Sequence, residues 1–308
     1  MAGALEISQQ NQHQKPWSTP AEGIYTTWRT AKLETLRDLR GAGFVTIRDL
    51  AKPAPAERRE LVQRCHDGNL ALYQCDSGGA DTPQLREGLL SFASAMGLRM
   101  AESHRSADSD GLVALNVRNA PAQAGYIPYS RRPMNWHTDG YYNAPDKQIR
   151  AMILHCAIPA EDGGENQFLD PELAYLRLRD LDPNFITALM HPQAMSIPEN
   201  REPDGTLRPV SIGPVFSVDE NGELAMRYTA RTRSIHWRDD TLTRAAVKAL
   251  QTLLEAGDPL MQTVRFKVGQ GVLCNNVLHN RTGFDPDDAK TSNRLVFRAR
   301  FHNRIEGS

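Results

Sequence analysis

The chain has 308 residues, of which 40% are hydrophobic and 24% charged, a balance typical of globular proteins that bury a sizeable core. Its 36 basic residues nearly cancel its 37 acidic ones, and the net charge of −1 gives no support for binding to nucleic acid or to an anionic membrane surface. No leader peptide, membrane-spanning run or CxxC pair is visible, so we expect a cytoplasmic protein with free thiols.

The first hundred residues are predicted to be mainly helical. Residues 1–20 are polar and rich in glutamine, and we expect a mobile tail there. Apolar residues at helical spacing predict helices over residues 26–43, 55–73 and 82–97. A short strand is predicted between the first two helices, at residues 44–50.

From about residue 111 the pattern changes to strands separated by turns rich in Gly, Pro, Asn and Asp. Helices are predicted only at residues 171–181 and 240–257. This order predicts a single domain over residues 21–308, mainly β with helical cover (α+β), built on an antiparallel double sheet or barrel. The strand-like runs are 111–119, 148–159, 208–218, 223–230, 263–280 and 293–303.

Three residues form a candidate metal site. In NWHTDGYYN, residues 135–143, His137 and Asp139 are two positions apart, so on a strand both point to one face. A third ligand must come from a distant strand, and His279 in GQGVLCNNVLHNRTGF is the best candidate. Two imidazoles and one carboxylate make the facial triad of non-haem Fe(II), whereas structural zinc is usually enclosed by four Cys and His ligands.

Arginines follow the third candidate ligand. In SNRLVFRARF, residues 292–301, Arg294, Arg298 and Arg300 share one face of a predicted strand. A guanidinium binds carboxylates through two parallel hydrogen bonds, and a buried guanidinium close to a metal implies an anionic ligand. A dicarboxylate co-substrate that chelates iron at one end needs such a cation at the other.

Taken together, these motifs resemble the taurine dioxygenase family of Fe(II)- and 2-oxoglutarate-dependent oxygenases, to which γ-butyrobetaine hydroxylase is related. The resemblance covers roughly residues 110–304. It implies a jelly-roll core (a double-stranded β-helix) with N-terminal and inserted helices. It also implies Fe(II) as cofactor, with 2-oxoglutarate and O₂ as co-substrates. The implied reaction hydroxylates a small metabolite, or cleaves or desaturates it by hydroxylation, and releases succinate and CO₂.

The resemblance also implies roles for individual residues. His137, Asp139 and His279 would be the catalytic iron ligands. Arg294 would pair with the distal carboxylate of 2-oxoglutarate, and Arg298 would help to hold the end near the metal. Because Asp139 is a carboxylate, the resemblance favours hydroxylation over halogenation.

Two details of the co-substrate site depart from the family pattern. In AEDGGENQFLD, Asn166 stands where the family has a threonine that contacts 2-oxoglutarate. The segment TGFDPDDAKTS between His279 and Arg294 is long, so Arg298 or Arg300 stays open as the partner of the distal carboxylate.

A small-molecule substrate is expected, and the sequence leaves a homo-oligomer open. Segments 119–134 and 197–214 are predicted to be loops that fold over the site. The alternatives are a zinc metallohydrolase on the same ligands and a catalytically silent jelly-roll binding protein. Residues that we interpret as lining the substrate pocket are Asn116, Arg118, Trp136, Tyr141 and Tyr142.

Overall fold

Six helices are formed by the residues that the structure, a computed structural model, describes: 15–17, 21–102, 111–117, 127–201, 205–231, 233, 235–285 and 293–308. The prediction for residues 171–181 is confirmed, and the helix predicted over 55–73 ends at residue 68 because Asn69 adopts a left-handed φ of 58°. The helices are α1 (Glu22–Gly41), α2 (Pro55–Gly68), α3 (Pro83–Ala95), α4 (Pro171–Leu181), α5 (Pro183–Leu189) and α6 (Thr241–Ala256).

Short strands make up most of the remainder. The strands are β1 (Val45–Ile47), β2 (Leu70–Cys75), β3 (Val113–Asn116), β4 (Met134–His137), β5 (Ala151–Ile158), β6 (Asn166–Leu169), β7 (Met195–Ile197), β8 (Asn200–Arg201), β9 (Leu207–Arg208), β10 (Ser211–Gly213), β11 (Phe216–Val218), β12 (Leu224–Met226), β13 (His236–Trp237), β14 (Gln262–Val264), β15 (Gln270–Cys274), β16 (Leu278–Arg281) and β17 (Leu295–Phe301).

Two larger sheets form the body of the fold. The six-stranded sheet has the order β1-β2-β15-β5-β17-β3, and the four-stranded sheet has the order β14-β6-β16-β4. All of these pairs are antiparallel except β1 with β2. Three smaller groups of strands, β10-β7-β13, β11-β12 and β8-β9, complete the described sheets.

One apolar cluster fills the space between the two larger sheets. From β5, Met152, Leu154 and Cys156 enter this cluster, while Ile153 and Ala157 belong to a second cluster on the opposite face. The second cluster is covered by α2 and α3. Because both faces of the six-stranded sheet are covered, β5 is buried along nearly its whole length instead of alternating.

A third apolar cluster covers the outer face of the four-stranded sheet. Trp136 of β4, Leu169 of β6 and Leu278 of β16 pack there against α1, α4, α5 and α6. Since side chains alternate along a strand, the neighbours of these residues project inward, into the space between the sheets.

The arginines of β17 also face that inner space. Leu295 and Phe297 pack under the helices of the second cluster, whereas Val296 packs between the sheets. Side chains two apart share a face, so the even-numbered positions of this strand point toward the four-stranded sheet. The arginines at these positions are Arg298 and Arg300, and Arg294, which immediately precedes β17, is buried as well.

The long strand-like run at residues 263–280 is divided into three strands. β14 and β15 are separated by a turn in which Gly269 has a φ of 76°, and β15 and β16 by a turn in which Asn276 has a φ of 49°. His279 therefore lies on a strand of its own rather than at the end of β15. This division lets β15 belong to one large sheet and β16 to the other.

The predicted mobile tail lies mostly outside the described residues, but residues 15–17 of it are packed. Trp17 makes edge-to-face contacts with Trp28 and Tyr175, and its indole nitrogen donates to the carbonyl oxygen of Gly222 at 2.9 Å. The prediction is therefore wrong for these three residues, because an indole offers a large apolar surface for burial. No helix among the described residues is both long and apolar enough to cross a membrane.

Candidate metal centre

Two histidines face each other across neighbouring strands of the four-stranded sheet. His279 of β16 is the direct partner of His137 of β4, and their ring centroids lie 4.2 Å apart. The same register places His279 opposite Phe168, which packs between the sheets. Both imidazoles therefore project into the inner space and away from the helices.

The hydrogen bonds of the two rings leave one nitrogen of each available. Nδ1 of His137 lies 2.8 Å from the carbonyl oxygen of Asn135, and Nδ1 of His279 lies 2.9 Å from that of Val277. A carbonyl oxygen only accepts, so Nδ1 carries the proton in both rings. The Nε2 lone pairs then point inward, as expected of metal-binding imidazoles oriented by their other nitrogen.

Asp139 lies in the turn after β4, not on the strand as predicted. Its main chain is held by Asn276, whose side-chain oxygen accepts from the Asp139 N–H at 2.8 Å and whose amide donates to the Asp139 carbonyl at 3.0 Å. Its Oδ1 lies 3.9 Å from Nε2 of His137. The aspartate thus converges with the histidines, as predicted. Its position is set by hydrogen bonds from the Asn276 side chain to its main chain, and not by strand pairing.

The carboxylate of Asp139 is fixed on one side and free on the other. Oδ1 accepts from Arg298 at 3.2 Å, and Arg300 lies 3.8 Å from the same oxygen. Oδ2 is buried and has no hydrogen-bond partner among the described residues. A buried carboxylate oxygen without a partner is costly, so this atom is suited to bind a cation.

Within the described part of the chain, His137, Asp139 and His279 form the one group of three metal-ligating side chains whose ligand atoms all lie within 4.8 Å of one another. The described cysteines are free and none of them joins this group. Two free imidazole nitrogens and a free carboxylate oxygen fit ferrous iron with open positions better than a closed zinc site.

Electrostatics keep all three ligands in the form that binds a metal. Burial, and then the neighbouring His279, lowers the pKa of His137 to about 3, and burial also lowers the pKa of His279. Burial alone would raise the pKa of Asp139, but the charges of Arg298 and Arg300 outweigh it and hold that pKa below its usual range. The site is therefore two neutral imidazoles and one carboxylate at neutral pH.

This charge state predicts how many protons are displaced when a metal binds. At pH 6, two solvent-exposed histidines would together release about 1.5 protons on metal binding, given their ordinary pKa of about 6.5. Because burial lowers the pKa values of both His137 and His279, the folded protein holds fewer of these protons at pH 6. We expect calorimetric titration of Fe(II) in buffers of different ionisation enthalpy to find less than one proton released; release near 1.5 would contradict the buried pair with lowered pKa values.

The clamp on Asp139 predicts an effect on stability. Asn276→Ala removes both main-chain bonds to Asp139 and a third to the carbonyl of Ile149, and places alanine at a left-handed φ. We expect the free energy of unfolding of the metal-free protein to fall by about 3 kcal/mol in chemical denaturation. Asn280→Ala, which removes a single bond to Gln167, should cost about 1 kcal/mol or less. Equal losses of unfolding free energy in the two variants would show that the bonds from Asn276 to Asp139 contribute no more than an ordinary side-chain hydrogen bond.

The two arginines of β17 and Arg294, which immediately precedes that strand, have different surroundings. Arg298 is bonded to Asp139, and Arg300 contacts Asp139, forms an ion pair with Glu102 and donates to the Tyr142 hydroxyl at 3.2 Å. Arg294 is 6% exposed, and no carboxylate of the described residues lies within ion-pair distance of it. Burial lowers its pKa. The carboxylate of Asp285 acts on that pKa in the opposite sense from outside ion-pair distance, so the guanidinium is placed to accept a carboxylate from a ligand.

Arg294 lies among the residues that the sequence placed near the co-substrate. Its Cζ lies 4.7 Å from the ring centroid of Phe284, and the Gly163–Gly164 turn packs against Cα and Cβ of the same residue. A Cβ on Gly163, where φ is 65°, would lie 2.3 Å from the carbonyl oxygen of Gly283, so only glycine permits this approach. Asn166 follows the turn, is 6% exposed, and donates to the carbonyl of Gly164 at 3.2 Å.

The predicted substrate-pocket residues are separated by the structure. Trp136 packs in the helix-covered cluster, on the face of β4 opposite to His137, so its predicted pocket-lining role is wrong. Tyr142 contacts Arg300, and Tyr141 packs edge-to-face against Tyr142 at 5.2 Å. Asn116 ends β3 opposite Leu295, and Arg118 lies outside the described residues.

The segment predicted as a loop over the site, 197–214, contains a hairpin and an edge strand. Arg208 of the hairpin lies 5.8 Å from the ring centroid of Tyr142, and the Ser211 hydroxyl of β10 donates to the carbonyl of Asn143 at 2.6 Å. These bonds attach the segment to the turn that carries Asp139. The other predicted loop, 119–134, is described only from residue 127.

Sequence reasoning missed several residues that shape the site. Asn276 and Arg281 adjoin His279 and lie inside a motif that the sequence singled out, but the motif drew attention to the histidine alone. An asparagine between two strands is a signal for left-handed backbone. Glu102 carries no signal, because it is brought to Arg300 only by the tertiary fold.

A family model named taurine catabolism dioxygenase TauD, TfdA family matches residues 13–300. The chain belongs to this family. The resemblance inferred from the motifs is confirmed, and so is the assignment to the non-haem iron dioxygenases.

Relatives of this TauD-family chain include three informative proteins. A uridine-5′-phosphate dioxygenase from Amycolatopsis sp is 36% identical over 97 residues, which is 30% of this chain and about a third (33%) of that protein. Asparagine oxygenase with Fe(II), hydroxyasparagine and succinate has a TM-score of 0.58 at 13% identity, covering 89% of this chain and 90% of its own. The non-haem iron oxygenase OrfP with Fe, succinate and (3S)-hydroxy-L-Arg has a TM-score of 0.59 at 18% identity, covering 89% and 91%.

The two solved structures bear on the fold of this TauD-family chain. They match across nearly the whole chain at identities where only the fold is shared. The predicted fold class, mixed helices and antiparallel sheets around a jelly-roll core, is confirmed.

Proposed function

We propose that the protein is an Fe(II)- and 2-oxoglutarate-dependent dioxygenase that hydroxylates a small metabolite, or cleaves or desaturates it by hydroxylation. The observation that carries this proposal is the set of three unused ligand atoms at one point: Nε2 of His137, Nε2 of His279 and Oδ2 of Asp139. A ferrous ion bound there supplies oxygen activation, with 2-oxoglutarate as the reductant that becomes succinate and CO₂.

The protein residues fix the ligand set before the metal binds. Main-chain carbonyls orient both imidazoles, and Asn276 holds the backbone of Asp139. Arg298 occupies Oδ1 of the aspartate and leaves Oδ2 for the metal. A site built in advance in this way avoids reorganisation on binding and keeps bulk water out of the inner space.

Arg294 is the residue that we assign to the distal carboxylate of 2-oxoglutarate. Arg298 and Arg300 are already occupied by Asp139 and Glu102, so of the three arginines on this face only Arg294 lacks a carboxylate among the described residues. Arg294 precedes the first residue of β17 and lies four residues before Arg298, so extended backbone would separate their Cα atoms by about 13 Å. One arginine then serves the metal end of the co-substrate site and the other its distal end, with Asn166 beside the latter.

For the substrate we propose a small polar metabolite that reaches the site beside Tyr141 and Tyr142. The turn after Asp139 and the β8–β9 hairpin meet at these rings. Two relatives are named for asparagine and uridine 5′-phosphate, and OrfP was solved with hydroxy-L-Arg bound, so amino acids and nucleotides belong in the first substrate screen. Free thiols at all four cysteines support our proposal of a cytoplasmic location, and we propose no nucleic-acid or membrane partner.

The test is a turnover screen with Fe(II), 2-oxoglutarate and O₂ over amino acids, nucleotides, sulfonates and betaines. We expect one class to raise O₂ consumption and succinate formation together, above the rate without substrate. Reconstitution with Zn(II) provides the control: hydrolysis by the zinc protein without succinate would favour a metallohydrolase. Binding of 2-oxoglutarate without succinate from any compound would favour the silent binding protein.

A further inference from the structure

A second buried guanidinium contacts the same phenyl ring as Arg294. Arg281, two residues after His279 on β16, is 3% exposed. Its Cζ lies 4.6 Å from the ring centroid of Phe284, and Cζ of Arg294 lies 4.7 Å from the same centroid. Arg281 is also the cross-strand partner of Asn166. One phenyl ring and one asparagine thus connect two positive charges at the same end of the inner space.

Neither cation has a carboxylate partner among the described residues. Arg281 donates instead to main-chain carbonyls: Nη2 to Ser130 at 3.0 Å and to Arg132, and Nε to Thr282 at 3.3 Å. No hydrogen bond of its Nη1 is present in the described part of the chain. Burial, and then the charge of Arg294, lowers the pKa of Arg281 to about 9. Two buried like charges on one phenyl ring are unfavourable unless an anion offsets them.

We propose that Arg281 is a positioning residue for 2-oxoglutarate, supplying the second positive charge of the pocket that receives the distal carboxylate. This inference rests on the proposed function. Arg294 faces the carboxylate, while Arg281 acts through the shared Phe284 ring and through its field. In a buried, water-poor pocket a charge at this range is screened far less than at the surface.

The same side chain ties the co-substrate pocket to a metal ligand. Two of its carbonyl partners, Ser130 and Arg132, lie in the segment that leads into β4. In the same segment, the carbonyl of Arg131 accepts from the N–H of Phe284 at 3.1 Å. β4 begins at Met134 and ends at His137. Arg281 therefore fixes the approach to His137 and the charge of the distal pocket together.

The test separates the charge of Arg281 from its structural bonds. Arg281→Lys and Arg281→Gln both lose the hydrogen bonds from the guanidinium group to the main-chain carbonyls, but only lysine keeps the positive charge. The ligands are 2-oxoglutarate and 2-oxopentanoate, which has the same carbon chain without the distal carboxylate. Binding of each to the iron-loaded protein is measured by calorimetry without oxygen, so that no turnover enters the result. Arg64→Gln is the matched control, because Arg64 also donates to two main-chain carbonyls, far from the site on α2.

We expect the preference for 2-oxoglutarate over 2-oxopentanoate to fall about tenfold in Arg281→Gln, as loss of one weakly screened charge predicts. Arg281→Lys should stay within about twofold of the wild type, and Arg64→Gln should match it. An equal fall in the Lys and Gln variants, or an unchanged preference in the Gln variant, would overturn the proposal. If wild-type protein bound neither ligand, the proposed function itself would fail, which is a distinguishable result.

Discussion

His279→Ala should abolish stoichiometric iron binding and lower 2-oxoglutarate turnover by at least about a thousandfold, since loss of even an outer partner of a metal ligand typically costs about 10- to 100-fold. His279 is 3% exposed and directly opposite His137, so no other described side chain can replace its nitrogen. The remaining imidazole and carboxylate would make only a two-ligand site. Iron content after anaerobic loading, followed by a succinate assay, measures both effects.

The control for this variant is His236→Ala. His236 lies exposed on β13 and takes no part in the metal group, so its removal should leave iron content and turnover at wild-type values. Circular dichroism of both variants checks that the fold is intact. A His279→Ala protein that retained one iron per chain would remove this histidine from the metal centre, and with it the central geometry of the proposed site.

Arg294→Met should raise the half-saturating concentration of 2-oxoglutarate by roughly 150-fold, corresponding to about 3 kcal/mol for loss of a buried charge partner. The same variant should not be less stable without ligand. Arg294 has no carboxylate partner among the described residues, and a buried unpaired charge replaced by an apolar chain of similar length is neutral or favourable for folding. Thermal unfolding with and without 2-oxoglutarate measures both parts in one experiment.

Arg177→Met is the contrasting control for Arg294. Arg177 of α4 is paired with Asp258 at 2.7 Å, so its removal leaves a buried carboxylate unpaired and should lower stability without affecting 2-oxoglutarate. The two variants therefore predict opposite outcomes: Arg294→Met loses ligand and keeps stability, and Arg177→Met keeps ligand and loses stability. If Arg294→Met lowered stability and left 2-oxoglutarate binding intact, Arg294 would be a structural residue.

The convergence of the three candidate metal ligands could be predicted from sequence because their chemistry is rare and their partners are specific. An HxD pair indicates a metal site only together with a distal histidine and following arginines. The structure brings the ligand atoms of His137, Asp139 and His279 within 4.8 Å of one another. Which arginine serves the co-substrate could not be read from spacing, because Arg294, Arg298 and Arg300 share one face. Their carboxylate neighbours distinguish them, and Glu102 lies almost two hundred residues away in sequence.

The errors in the prediction have physical causes of the same kind. Trp136 is next to a metal ligand in sequence, yet alternation along β4 turns it to the opposite face of the sheet. The run 263–280 looks continuous because buried strands carry apolar residues on both faces, which hides the turn at Asn276. Residues that are adjacent in the sequence of a strand point their side chains to opposite faces of the sheet, so adjacency to a candidate ligand does not place a side chain in the site.

The pairing of β17 with β5 has a consequence for how this enzyme folds. A slip of one residue in that pairing would exchange the two faces of β17. Its guanidinium groups would then lie under the helices, and its phenylalanines would lie in the inner space between the sheets. Misaligned chains would therefore be both unstable and inactive. Stability of the fold and formation of the proposed active site thus depend on the same strand register.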